Sequence, residues 1–204
     1  MQRRIGLTGG IASGKSTVGA LLLAHGWPLL DADQFAHEAL TPGSPTSAAV
    51  LAHFGRDIQA AGEPARVNRA ALGRIVFSDA RERQWLEQLI HPLVRQRFDQ
   101  CLSRLNEAPV VVLMVPLLFE ANLTAMCSEI WLVDCEEQHQ IQRLMRRSNL
   151  TEQEAKQRLQ AQWPLAKKRQ RADHIINNRG SKIDLSRQVE SIIKQTRVEQ
   201  KSID

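Results

Sequence analysis

The chain contains no tyrosine, and aromatic residues make up only 4% of its 204 residues. Proteins that grip single-stranded nucleic acid stack bases on aromatic platforms, so this scarcity argues against nucleic acid as the main ligand despite a formal charge of +5. Anionic small molecules account for the same cationic excess. Cysteine is scarce too: Cys101, Cys127 and Cys135 are odd in number, widely spaced and without a C-x-x-C pair. That excludes a disulfide framework and a zinc ribbon, and fits inert thiols in a reducing compartment. Long apolar runs are missing as well. The longest, Pro109 to Phe119, falls far short of the roughly 20 residues a bilayer requires. Gln2, Arg3 and Arg4 lead into a strand and a glycine loop rather than an apolar core with a cleavage site. A soluble, cytoplasmic protein without a membrane partner is expected, long enough for one α/β domain with a modest insertion.

What is present is concentrated near the start. Gly9, Gly10, Ile11, Ala12, Ser13, Gly14, Lys15, Ser16 and Thr17 fit G-x-x-x-x-G-K-[ST], the loop whose backbone N–H groups wrap a triphosphate. The glycines let the main chain approach phosphate oxygens closely. Lys15 would place a point charge on the β- and γ-phosphates, and Ser16 would offer its hydroxyl to Mg²⁺. An apolar strand over Arg3 to Thr8 precedes the loop and a helix over about 14–25 follows it, so the helix N-terminus adds its dipole to the anion site.

Four more strands are expected near 27–31, 110–115, 130–134 and 173–176, with helices between them. The near-continuous apolar run Val110 to Val115 fits a parallel sheet covered on both faces. The second strand ends in Asp31, Ala32, Asp33, at the carboxyl end where open parallel sheets bind ligands. There Asp33 is a candidate general base, while Asp31 reads either as a helix N-cap or as a carboxylate acting on a metal-bound water. Helical patterns over 34–40, 46–54, 68–77 and 79–105 fill the space before the third strand, with 55–64 as a polar connection and a break at Pro92. That is longer than a simple crossover needs and suggests a substrate-holding insertion over about 32–105. Within it, Arg69 and His91 are the polar residues to watch, each also readable as structural.

After the third strand stands Pro116-Leu117-Leu118-Phe119-Glu120, without the magnesium-holding aspartate of many motor ATPases. Glu120 reads equally as a ligand contact or a cap. Arg143 and Arg147 lie four apart on one helix face, where like charges repel and an anionic partner offsets the repulsion. Thr151 with Glu154 matches a capping box. Pro164 then precedes Lys167, Lys168, Arg169 and Arg171, best read as a solvated basic face. The stretch of about 140–171 has the make-up of a helical hairpin able to close as a lid. Asn177 and Asn178 follow the last strand as a turn or as readers of a purine edge. A closing helix is expected over 181–196, with a frayed polar tail from 197 to 204.

Taken together, these residues resemble the dephospho-coenzyme A kinase family. The resemblance rests on Leu7-Thr8-Gly9-Gly10-Ile11, Gly14-Lys15-Ser16-Thr17, Asp31-Ala32-Asp33, and Arg69 with Leu72 and Phe77. It continues through His91-Pro92-Leu93, Val115-Pro116-Leu117-Leu118 with Glu120, Arg143 and Arg147, and Gln162 with Pro164-Leu165. It closes on Ala172-Asp173 with Ile175-Ile176, Asn178 and Gly180. It implies a P-loop, nucleoside-monophosphate-kinase-like α/β fold: a parallel sheet flanked by helices, with a helical substrate-binding insertion and a helical lid. It also implies transfer of the γ-phosphoryl of ATP, with Mg²⁺, to the ribose 3′-hydroxyl of dephospho-coenzyme A. Asp33 would be the base, Lys15, Arg143 and Arg147 would stabilise the transferring group, and Arg69 and His91 would hold the acceptor. Three positions depart from the family pattern: Ser148 and Asn177 stand where aspartate is usual, and Arg179 interrupts a turn usually made of small residues. A P-loop kinase for another small alcohol or nucleotide, and a nucleotide-dependent switch, are the alternative readings.

Overall fold

The computed structural model describes residues 2–201. In chain order it contains β1 (Arg3–Gly9), α1 (Lys15–Ala24), β2 (Leu29–Asp31), α2 (Ala32–Ala39), α3 (Pro45–Phe54), β3 (Gln59–Ala60), β4 (Glu63–Val67), α4 (Arg69–Ser78) and α5 (Ala80–Arg104). Then follow β5 (Val110–Met114), β6 (Glu129–Asp134), α6 (Glu137–Ser148), α7 (Glu152–Gln160), α8 (Leu165–Arg169), β7 (His174–Asn177) and α9 (Lys182–Lys201). The chain divides into two compact units, residues 1–30 with 105–204, and residues 31–104.

The five expected strands form one sheet in the order β2-β5-β1-β6-β7, with β1 parallel to both neighbours and β6 parallel to β7. Side chains alternate between faces along a strand, and here both faces are buried. Ile5, Leu7, Val112, Trp131, Val133 and Ile176 point to one side, where Val18 and Leu22 of α1 and Leu185, Val189 and Ile193 of α9 cover them. Val111, Leu113 and Leu132 point to the other side and are equally inaccessible. The central position of β1 places its carboxyl end, and the loop that leaves it, between β5 and β6. Helix α1 ends where Gly26 takes φ +89 and returns its N–H to the Leu23 carbonyl, a left-handed helix stop. Helix α9 continues to Lys201, past the expected end at 196; residues 202–204 of the expected tail lie outside the described residues.

The second unit is helical around a core of Val50, Ile58, Val67, Ala71, Leu72 and Val76. Its helices start at side-chain caps: Ser44 accepts from Ser47 N at 3.0 Å with Pro45 at the first helical position, and Asn68 accepts from Ala71 N at 3.1 Å. Two expectations need correction. The stretch 55–64 is not a plain connection, because it contains a short 3₁₀ turn and then the antiparallel pair β3–β4, turning at Gly62 with φ +75. Nor does Pro92 break α5, which is continuous from Ala80 to Arg104. An interior proline costs a helix about 3 kcal/mol. Ile90, Val94, Phe98 and Leu102, four apart and all buried, carry one apolar stripe past the proline, and each such burial is worth about 1.5–3 kcal/mol. Phe98 meets Phe35 of α2 edge to face at 5.1 Å. Among the described residues, no helix is long and apolar enough to cross a membrane.

Candidate active site

The loop between β1 and α1 is organised by what holds its carbonyl oxygens. Lys15 Nζ donates to Gly9 O at 3.1 Å and to Gly10 O at 2.8 Å. Gln140 Nε2 donates to Ile11 O at 2.7 Å, Arg143 Nη1 reaches Ala12 O at 3.5 Å, and Asn178 Nδ2 donates to Ser13 O at 2.7 Å. Five successive carbonyls are thus engaged by side-chain donors, while the Ile11 N–H donates to Gln162 Oε1 at 2.9 Å and the Ser13 N–H to Gly10 O at 3.2 Å. Ala12 and Gly14 take left-handed φ of +56 and +100. Gly14 also caps α1, and no side chain caps that helix, unlike α2, α3, α4 and α7. A helix N-terminus without a side-chain cap is suited to an anion. A Cβ at Gly10 would meet the end of the Gln140 side chain, so a substitution there would displace Gln140. Ser16 and Thr17 are exposed at the start of α1.

Helices α6 and α7 pack as a hairpin joined through Asn149 at φ +49, and Thr151 and Glu154 form the expected capping box. Arg143 stands on α6 with Nη1 3.4 Å from Cys135 Sγ and reaching the loop at Ala12. Arg147, one turn on, is exposed; burial together with the Arg147 charge lowers the pKa of Arg158 on α7, with Glu154 opposing. In the basic run that follows, Lys167 and Arg171 are exposed, but Lys168 and Arg169 are not part of a solvated face. Lys168 is fully buried and pairs with Glu120 at 2.9 Å and the Pro116 carbonyl at 3.2 Å. Arg169 donates twice to Asp134 Oδ1, at 3.0 and 2.8 Å. Lys167 Nζ lies 3.4 Å from the centroid of the Trp163 ring, which stacks on Phe119 at 5.9 Å. Glu120 also accepts from Trp163 N at 2.8 Å, which makes it a tie between α8 and the turn after β5. A cavity of about 630 Å³ opens beside this tie, lined by Gly10, Gln140, Gln162, Trp163 and Arg169.

In the second unit, Asp31 caps α2: its Oδ1 accepts from Asp33 N at 2.9 Å. The N-cap reading of Asp31 is thus met, and Asp33 occupies the first turn, where the helix dipole favours a carboxylate. Arg69 is exposed as the first residue of α4, directly after its Asn68 cap. His91 is half-buried on α5. Burial lowers its pKa below the ordinary 6.5, Glu87 opposing and Arg95 adding, so the imidazole is neutral at neutral pH.

A dephospho-CoA kinase family profile matches residues 3–184. The chain belongs to the dephospho-CoA kinase family. A dephospho-CoA kinase of Parasynechococcus marenigrum (strain WH8102) is 61% identical over 185 residues, covering 91% of this chain and 92% of that protein. The crystal structure of TT1252 from Thermus thermophilus superposes with a TM-score of 0.78 at 38% identity, covering 95% of this chain and 97% of that one. The dephospho-CoA kinase from Campylobacter jejuni gives a TM-score of 0.68 at 26% identity, over 96% and 98%. Against the pattern of the dephospho-CoA kinase family, the three departures have local partners or places. Ser148 ends α6 before the left-handed Asn149. Asn177 Oδ1 accepts from Arg179 N at 3.1 Å, and Arg179 Nη2 donates to Asp134 Oδ2 at 3.1 Å. Asn178 is buried, with its Nδ2 donating to the Ser13 carbonyl of the phosphate loop.

Sequence reasoning gave no role to Asp134 or Gln140, and saw Gln162 only through family likeness. One signal was available: Gln140 lies four residues before the buried Leu144, a polar residue inside the apolar stripe of α6.

Proposed function

We propose that the chain transfers the γ-phosphoryl of ATP to the ribose 3′-hydroxyl of dephospho-CoA, giving CoA and ADP. The observation that carries this is the phosphate loop with five carbonyls held by Lys15, Gln140, Arg143 and Asn178, in a chain of this family. The loop and helix start over Gly10 to Thr17 bind the triphosphate, with the Ile11 N–H kept by Gln162, and Lys15 leaves the Gly9 and Gly10 carbonyls for phosphate oxygens. Arg143 and Arg147 stabilise charge on the transferring group once the lid, about 140–171, closes and excludes water. Asp33 accepts the proton of the attacking hydroxyl. Its support is its place just past the carboxyl end of β2, with its own N–H already held by Asp31. The insertion, about 32–105, holds the acceptor, Arg69 pairing with an anionic group and His91 offering a neutral imidazole.

Among the described residues no three His, Cys, Asp or Glu side chains cluster to hold a metal. Mg²⁺ keeps waters and draws on phosphate oxygens; Ser16 would be its protein ligand, and Asp31 would act on it through a bound water. When bound, Mg²⁺ neutralises charge on the β- and γ-phosphates.

The test offers purified protein ATP and Mg²⁺ with dephospho-CoA beside adenosine, AMP and shikimate, and follows ADP release. Acceptor-dependent turnover with dephospho-CoA alone is expected. Turnover with another acceptor would assign a different small-alcohol kinase, and acceptor-independent hydrolysis alone would assign a switch.

A further inference from the structure

Ile11 is gripped at both of its backbone groups by side chains from the hairpin. Its N–H donates to Gln162 Oε1 at 2.9 Å, and its carbonyl accepts from Gln140 Nε2 at 2.7 Å. Gln140 is buried in the first turns of α6, and Gln162 lies two residues past the end of α7. Both are anchored locally, Gln140 N to Glu136 O at 3.0 Å and Gln162 N to Leu159 O at 3.1 Å. On one side of Ile11, Gly10 leaves the space that Gln140 fills. On the other, Ala12 holds φ +56, a conformation that costs a non-glycine residue about 1 kcal/mol or more and persists only where the surroundings impose it.

We propose that Gln140 and Gln162 are positioning residues that act as a clamp on Ile11. They set the phosphate loop in its anion-accepting shape before nucleotide arrives, and they tie that shape to the base of the α6–α7 hairpin. This rests on the reading of the loop as an ATP site. The clamp has a fixed polarity, because a backbone N–H can only donate and a carbonyl can only accept. Gln140 must present its amide NH₂, and Gln162 must present its oxygen. A carboxylate therefore suits position 162 and opposes position 140.

The experiment measures Mg·ATP binding by calorimetry without acceptor, then kcat and KM for transfer to dephospho-CoA, in Gln140→Ala, Gln140→Glu, Gln162→Ala and Gln162→Glu, with thermal melting of each. Each alanine variant is expected to bind ATP about tenfold more weakly, the size of one lost hydrogen bond, with kcat lowered as well. Gln162→Glu should recover most of what Gln162→Ala loses, whereas Gln140→Glu should fall below Gln140→Ala. Both glutamate variants add one negative charge beside the same residue, so their difference reports hydrogen-bond polarity. If Gln140→Ala unfolds, Gln140→Met fills the volume without the donor and should show the same loss of ATP affinity. Equal behaviour of the two glutamate variants, or wild-type binding and turnover in the alanine variants, would overturn the clamp. ATP binding in the predicted order without transfer to dephospho-CoA would leave the clamp standing and remove the proposed reaction instead.

Discussion

Arg143 meets the loop at Ala12 O and shares its guanidinium with the sulfur of buried Cys135, so it is held beside the phosphate loop from a helix that belongs to the hairpin. Arg143→Ala should lower kcat more than it raises KM for ATP, by roughly two orders of magnitude, or about 3 kcal/mol of transition-state stabilisation. The reverse pattern in steady-state kinetics would reduce Arg143 to ground-state binding. Asp33 calls for a different separation. Asp33→Asn keeps the size of the side chain and removes the proposed base, so calorimetry should find ATP binding nearly intact while single-turnover transfer is severely slowed. Near-normal turnover would mean that another group takes the proton.

At the scale of elements, β1 and β6 are stitched at their beginnings by Arg3 and Glu129, with Arg3 Nη2 donating to Glu129 Oε2 at 3.0 Å and Trp131 Nε1 to the same oxygen at 2.8 Å. Burial pushes the Glu129 pKa up. The bonds from Arg3 and Trp131, with the charges of Arg3 and His174, outweigh it and hold the carboxyl below its ordinary 4.5. A depressed carboxylate contributes stability above its unfolded pKa, and the contribution is lost as pH falls through the folded value. Melting temperature measured against pH should therefore fall more steeply on acidification in the wild type than in Glu129→Gln, and Glu129→Gln should melt lower at neutral pH. Parallel curves below the ordinary glutamate range would contradict this.

The strands of the sheet were legible because buried parallel strands read as short apolar runs, and Ile5, Val112 and Trp131 lie in such runs. Helix α5 was misread at Pro92, since a local proline rule ignores an apolar stripe that continues on both sides. The pair β3–β4 was missed because its second strand, Glu63–Val67, is exposed except at Val67 and has no alternating apolar pattern. Within the basic run, Lys168 and Arg169 depart from a solvated face for a related reason: their partners, Glu120 and Asp134, lie dozens of residues upstream. In the site, Gly9 to Thr17 is one contiguous motif and was readable as such. Gln140, Gln162 and Asn178 act on it through side-chain bonds to its backbone, which spacing along the chain does not encode.

At the scale of the whole molecule, the unit formed by residues 1–30 and 105–204 carries the phosphate loop, the arginines of α6 and the clamp on Ile11. Residues 31–104 have a helical core of their own and carry Asp33, Arg69 and His91. The formal charge of +5 suits a chain whose proposed substrates are both polyanions. The most direct test of that reaction is the structure of its product. Protein, Mg·ATP and dephospho-CoA would be incubated, and the product analysed by mass spectrometry with phosphorus NMR to locate the new phosphate. One added phosphate, on the ribose 3′-oxygen and stoichiometric with ADP, is the predicted result. Unchanged dephospho-CoA in the presence of bound ATP, or a phosphate at any other position, would contradict it.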